Sequence, residues 1–269
     1  MIIMDSNIWL RATAFEPGEI HPIHGSPSQH DFTSTPDASR PNLRPRECRA
    51  LIIHQMKSAN GIYVPGQQVE EILSVTQNLK ARHSVNKDNA RLLSCMNQFI
   101  VNAGAGNRVP ILNKDIDEQH EVLSRAVTIA YSTAEGCSGL GRHDALRFIN
   151  KNEKFLPRTL PDPIKEGMSK GRSPFIWQDW LLCRAARRAG TIVVTADRDM
   201  TILGQAYKDV TGYMPSKYIE YVPDERDVAE FLECMTSQDS LQAAFHTNTR
   251  PPIPTPTVAL NRSIQSPKM

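Results

Sequence analysis

The sequence predicts an α/β fold, a central parallel sheet flanked by helices, and three observations lead there. Short apolar runs (1–4, 62–64, 191–195 and 218–222) have the composition of strands, and 191–195 is β-branched enough for a strand covered on both faces. Between them lie longer segments whose apolar positions recur at helical spacing. Two of the runs also lead directly into an aspartate, Asp5 and Asp197, and open α/β sheets place ligands at the carboxyl ends of their strands.

Taken in order, residues 1–4 form a very short strand that enters Asp5, Ser6 and Asn7 before an apolar helical turn through Ile8, Trp9 and Leu10. Residues 15–47 hold Pro17, Pro22, Pro27, Pro36, Pro41 and Pro45 among His, Ser and Thr. They lack the apolar content of a core and are expected to be a loop insertion. His21, His24, His30 and Asp31 are too irregularly spaced to suggest a metal site. Helical character resumes over 49–57, followed by the 62–64 strand, a turn at Pro65 and Gly66, and a helix with Val69, Ile72 and Leu73 on its apolar side. A helical middle region spans 86–155, with helices expected over 89–101, 117–130 and 144–150.

A proline-bearing loop over 156–174 leads to a helix whose apolar positions include Trp177, Leu181 and Ala185, and Gly190 supplies its stop. The 191–195 strand, a short helix over 200–207, a last strand over 218–222 and a helix over 227–235 complete one domain, 1–235. The proline-rich tail, 236–269, is expected to be disordered.

The candidate functional residues are acids. Parallel neighbours present their carboxyl ends on one edge, so Asp5 and Asp197 converge if their strands lie side by side. Asp5 also suits a helix N-cap. Asp179 shares its helix face with Leu182, Cys183 and Ala186, which turns a carboxylate inward. Its alternative role is to complement the helix dipole. Glu70 or Glu71 would sit in the first turns of the helix after Pro65, near the same sheet edge, with solvated surface as the alternative for either. Asp144 is a rival for the third position, but no strand with Thr-x-Asp follows it closely.

In that order, Asp5, Glu71, Asp179 and Thr195-Ala196-Asp197 resemble the pattern of the PIN-domain nucleases. That pattern is a first strand ending in Asp, a Glu on the helix after a strand-Pro segment, an Asp opening a late helix and a Thr-x-Asp after the next strand. Asp199 is a further acid close to the last, as in many members. The resemblance covers about half of the chain, the terminal motifs most clearly. It implies a nuclease, with RNA as the substrate ahead of DNA. Many members are toxins with antitoxin partners, and homodimers are common, although this chain is much longer than a minimal toxin.

Drawn together, such acids repel. Two unit charges ~4 Å apart cost about 4 kcal/mol at an effective dielectric near 20. A hard divalent cation relieves the repulsion, and an all-oxygen donor set favours Mg²⁺ or Mn²⁺. We therefore expect Asp5 and Asp197 as principal metal ligands. Glu71, Asp179 and Asp199 would complete the set, with the Ser6 and Thr195 hydroxyls orienting carboxylates. Turn and cap chemistry is an alternative role for both hydroxyls.

Arg184, Arg187 and Arg188 share one helix face, and Arg198 adjoins the acids. With Lys80, Arg82 and His83, and with Lys165, Lys170 and Arg172 in the 156–174 loop, they are candidates to grip a phosphate backbone. Plain solvated surface is the alternative.

A net charge of +2 over 269 residues is too small to indicate nucleic-acid binding by itself. Five scattered cysteines favour a reducing compartment. With no leader-like N-terminus and no membrane-length apolar run, a cytoplasmic protein without membrane contact is expected. Two other classes remain: a PIN-like nucleic-acid or protein-binding module without catalysis, and a phosphatase of the haloacid-dehalogenase type. The latter normally needs an aspartate two positions after the nucleophile, where this chain has Asn7.

Overall fold

A computed structural model describes residues 1–16, 18, 19, 43–58, 61–81, 87–104, 107, 110, 112–152 and 176–237. Most of the 15–47 segment with its histidines, the loop over 156–174, Arg82, His83 and nearly all of the tail lie outside the described residues.

The sheet is small. β1 (Ile3–Met4), β2 (Val193–Thr195) and β3 (Ser216–Tyr218) lie side by side in that order, all parallel. Ile3 stands opposite Val193 and Met4 opposite Val194. Because alternate residues of a strand face opposite ways, each rung sends its side chains to one side. Met4 and Val194 enter one apolar cluster, Ile3 and Val193 the other. The strand pair is thus buried on both faces, as its β-branched composition predicts.

Helices fill both sides. The Met4 face is covered by α1 (Ser6–Ala12), α2 (Pro45–Lys57), α4 (Lys87–Gly104) and α9 (Val228–Thr236), with Ile72 of α3 (Gly66–Ala81). The Ile3 face is covered by α5 (Asn113–Gly136), α6 (Leu140–Asn152), α7 (Ile176–Ala189) and α8 (Asp199–Thr211). The middle helices are therefore part of the core, with α4 on one face and α5 and α6 on the other. No helix among the described residues is long and apolar enough to cross a membrane.

Two strand expectations shift. The last strand forms at 216–218, earlier than 218–222, because its partner is short: β2 ends at Thr195, whose carbonyl accepts the Ile219 N–H at 2.8 Å. The 62–64 run makes only one parallel bridge, Ile62 with Ile2. The Tyr63 N–H donates to the Ile2 carbonyl at 2.8 Å, and the next donor along this edge would be residue 65. Pro65 has no N–H, so the ladder stops. The side-chain amide of buried Gln68 donates to the Met4 carbonyl instead.

Helix ends follow local chemistry. Gly190 takes a positive φ of 61° just past α7, which a side chain would oppose. Asp227 caps α9 by accepting the Glu230 N–H at 2.9 Å. Arg49, on an otherwise apolar face of α2, is fully buried. Its guanidinium donates to Glu19 (2.5 Å) and to the carbonyls of Ala12 (3.2 Å), Ala14 (2.8 Å) and Arg226 (2.9 Å). It fastens the N-terminal segment, α2 and the approach to α9 at one point. Arg49→Ala strands a buried carboxylate and three carbonyls, so urea unfolding should show a loss of about 3 kcal/mol or more. A loss below ~1 kcal/mol would contradict this role.

Candidate active site

The parallel pairing of β1 and β2 brings Asp5 and the segment after Thr195 to the same edge. The Asp5 N–H donates to the Val194 carbonyl at 2.9 Å, one rung beyond the last strand pair. Its carboxylate is buried, 2% exposed, and accepts the Thr195 hydroxyl at 2.5 Å through Oδ2. The same hydroxyl accepts the Asp197 N–H at 2.9 Å. Thr195 therefore orients Asp5 and the Asp197 backbone together. Asn7 adds a second link, its backbone N–H to Asp5 Oδ1 (3.3 Å) and its side-chain amide to Asp197 Oδ2 (3.4 Å). Asp5 is also the N-cap of α1, so the capping role and the convergence coexist.

Helix α3 supplies the glutamate. Ser6 donates to Glu71 Oε2 at 2.6 Å, while Glu70 is exposed, which separates the two alternatives. Gln68, one turn earlier, ties the same helix to the Met4 carbonyl, directly before Asp5. Asp179 lies in the first turn of α7, half-buried. Burial raises its pKa well above the ordinary value, and so do the charges of Asp5, Asp197, Glu71 and Asp199. The four acids expected from the sequence thus share one electrostatic neighbourhood.

Each of them resists ionisation. Burial pushes Asp5 up to about 7, with Asp197 and Glu71 adding repulsion and the Thr195 hydroxyl opposing it. Burial raises Glu71 against the Ser6 hydrogen bond. Burial and the Asp199 charge raise Asp197, against the Asp199 N–H, Arg147 and Lys151. The donors are all hard oxygens, the chemistry that suits Mg²⁺ or Mn²⁺. Their present spacing is looser than that chemistry needs. Among the described residues, no three His, Cys, Asp or Glu side chains are grouped closely enough to hold one ion. A shared cation would therefore draw the carboxylates closer together.

Asp199 differs from the other four. It caps the Asp197 carboxylate with its N–H, but its own oxygens take Arg147 Nη2 at 2.6 Å and Lys151 Nζ at 2.9 Å. Asp144, the rival third acid, faces Arg198 Nη1 at 3.1 Å.

No family model, curated protein or solved structure matches this chain.

The expected basic grip is placed elsewhere. Arg184 is 3% exposed and donates to Asp115 and, at 2.6 Å, to the Pro110 carbonyl, so it cannot meet a phosphate. Arg187 pairs with Glu118 at 3.0 Å and Arg188 lies 3.7 Å from Asp115. This helix face is a charged seam joining α7 to α5. Arg198 bonds Asp144 and the Tyr218 hydroxyl (3.2 Å). Lys80's side chain, Arg82, His83, Lys165, Lys170 and Arg172 lie outside the described residues. Sequence reasoning missed Asn7, Gln68, Arg147 and Lys151. The last two stand four apart on one helix, with Asp144 three before Arg147, a spacing that could have flagged a charged face.

The raised pKa values carry a sign. Between the ordinary value of 3.8 and about 7, Asp5 keeps its proton in the fold and loses it on unfolding. The folded chain binds more protons there, so stability falls as pH rises through that window. For Asp5 the loss is at most about 4 kcal/mol. Urea unfolding in EDTA should give a lower midpoint at pH 8 than at pH 5, with a shallower dependence for Asp5→Asn. Stability that rises over this range would contradict the assignment.

Proposed function

We propose that this chain is a divalent-cation-dependent nuclease of PIN-like fold, acting on single-stranded RNA. What carries the reading is the meeting of Asp5, Glu71, Asp179 and Asp197, from four separate segments, at the carboxyl edge of a parallel sheet. Buried and half-buried carboxylates that repel one another are costly for stability, which is understandable where they serve a ligand. The resemblance in motif order supplies the reaction class.

A Mg²⁺ or Mn²⁺ ion held by Asp5 and Asp197, with Glu71 and Asp179 completing the set, would supply Lewis acidity toward a phosphate oxygen and an attacking water. The chain's own groups prepare for this. Thr195 and Asn7 keep Asp5 and Asp197 pointed at one region, and Ser6 keeps Glu71 there.

The spacing of the acids gives weight to a second reading, a binding module that does not cut. One experiment separates the two. Purified protein is incubated with labelled single-stranded RNA and, in parallel, single-stranded DNA, with Mg²⁺, Mn²⁺ or EDTA. Metal-dependent cleavage of RNA is expected. Asp5→Asn and Asp197→Asn should each lower the rate at least ~100-fold without lowering the melting temperature. Thr195→Val should weaken the metal requirement's midpoint by about 10–100-fold. RNA bound but uncut under every metal condition would favour the module.

A further inference from the structure

Beside the four acids stands a pair of cations that the proposed reaction does not yet use. Arg147 and Lys151 lie one turn apart on α6 and both reach across to Asp199 on α8, at 2.6 and 2.9 Å. The side chains are 23% and 41% exposed, whereas that of Asp199 is 10% exposed. Asp199 opens α8, and its backbone N–H donates to Asp197 Oδ1 at 2.9 Å. The cations therefore sit on the solvent side of a fixed carboxylate, next to the acid that closes β2. Neighbouring Arg198 is engaged by Asp144, which lies 3.9 Å from Arg147 as well. On α7, Arg184, Arg187 and Arg188 answer to carboxylates of α5.

We infer that Arg147 and Lys151 are the phosphate-holding side of the candidate site, and that Asp199 is their resting counterion and not a metal ligand. The inference rests on the nuclease reading and adds its substrate contact. A guanidinium and an ammonium that already share the two oxygens of one carboxylate are arranged to share those of a phosphodiester. The phosphate approaches from solvent and Asp199 stays beneath, so the cations remain ordered while the backbone is threaded past the acids. Asp199 also limits how tightly the product is kept, because its charge competes with the phosphate for both cations.

The test measures binding of a labelled single-stranded RNA by the full chain in EDTA, by fluorescence anisotropy over a range of KCl concentrations. Arg147→Met with Lys151→Met should weaken binding about tenfold or more near ~50 mM salt and flatten the log–log salt slope by about 1.4, as two lost contacts require. The exchanged pair, Arg147→Lys with Lys151→Arg, should restore most of the affinity. Asp199→Asn, an isosteric change, should tighten RNA binding and leave the Mg²⁺-induced rise in melting temperature as in wild type. Lys57→Met, on α2, should change nothing. Wild-type affinity and slope in the double Met variant, with only a lower melting temperature, would show a plain α6–α8 staple and overturn the inference. So would loss of the Mg²⁺ effect in Asp199→Asn, which makes Asp199 a ligand. In either case, metal-dependent cutting by the wild type leaves the nuclease reading standing. Absence of both binding and cutting in the wild type removes that reading, and this inference with it.

Discussion

Two rungs of parallel pairing, Ile3 with Val193 and Met4 with Val194, are the constraint on which the rest of the molecule depends. They join segments 190 positions apart and set the Thr195 hydroxyl against Asp5. A slip of β1 by one residue would turn its side chains over, sending Met4 into the cluster built for Ile3 and Val193. It would also part Asp5 from Thr195. The apolar cores on the two faces therefore specify the register that makes the site. This explains how a strand of two residues can be so consequential: its register is set by packing on both sides and not by its own length.

The acids work against that core. Asp5, Glu71, Asp179 and Asp197 are all pushed toward their protonated forms, first by burial. Hydrogen bonds from Thr195, Ser6 and the Asp199 N–H recover part of the cost, yet none of these donors carries a positive charge. The contrast with Arg49 and Glu19 is instructive. There a buried charge is answered by an opposite one and by three carbonyls, and the result is a structural fastening. At the sheet edge, among the described residues, the four carboxylates are answered by neutral donors and by a more distant cationic pair. A fold that needed stability alone would have little reason to keep them ionisable.

What could be read in the sequence was what depends on short-range pattern. The strands around Asp5 and Asp197, the stop at Gly190 and the amphipathic runs of α4, α5 and α7 are all local signals, and each element is present. Helix ends and the last strand moved by a few residues, because partner length and capping decide them. Glu71 could not be told from Glu70 until Ser6 was placed beside it, a relation across 65 positions. Gln68 was invisible for the same reason. Its role arises only because Pro65 leaves the Met4 carbonyl without a backbone donor, and nothing in the α3 periodicity announces that. The arginines of α7 show the opposite failure. Their spacing was read correctly as one face, but a face carries no label for what it meets, and here it meets the acids of α5.

That misplacement bears on how charge is distributed around the site. A chain with a net charge of only +2 has no general attraction for a polyanion, so any grip must come from local separation of charge. On α7 the separation is turned toward α5, where Arg184, Arg187 and Arg188 meet Asp115 and Glu118. On α6 it survives in part: two cations share one carboxylate, which leaves an excess of one positive charge beside four acids. Near neutrality Asp5 is only partly ionised, and the other three acids are shifted in the same direction, so the local field is less negative than a count of carboxylates suggests. Protons at low pH, or a divalent cation at higher pH, would shift the balance further toward admitting a phosphate. The α6 cations matter because they stand beside acids that burial and mutual repulsion push toward their neutral forms.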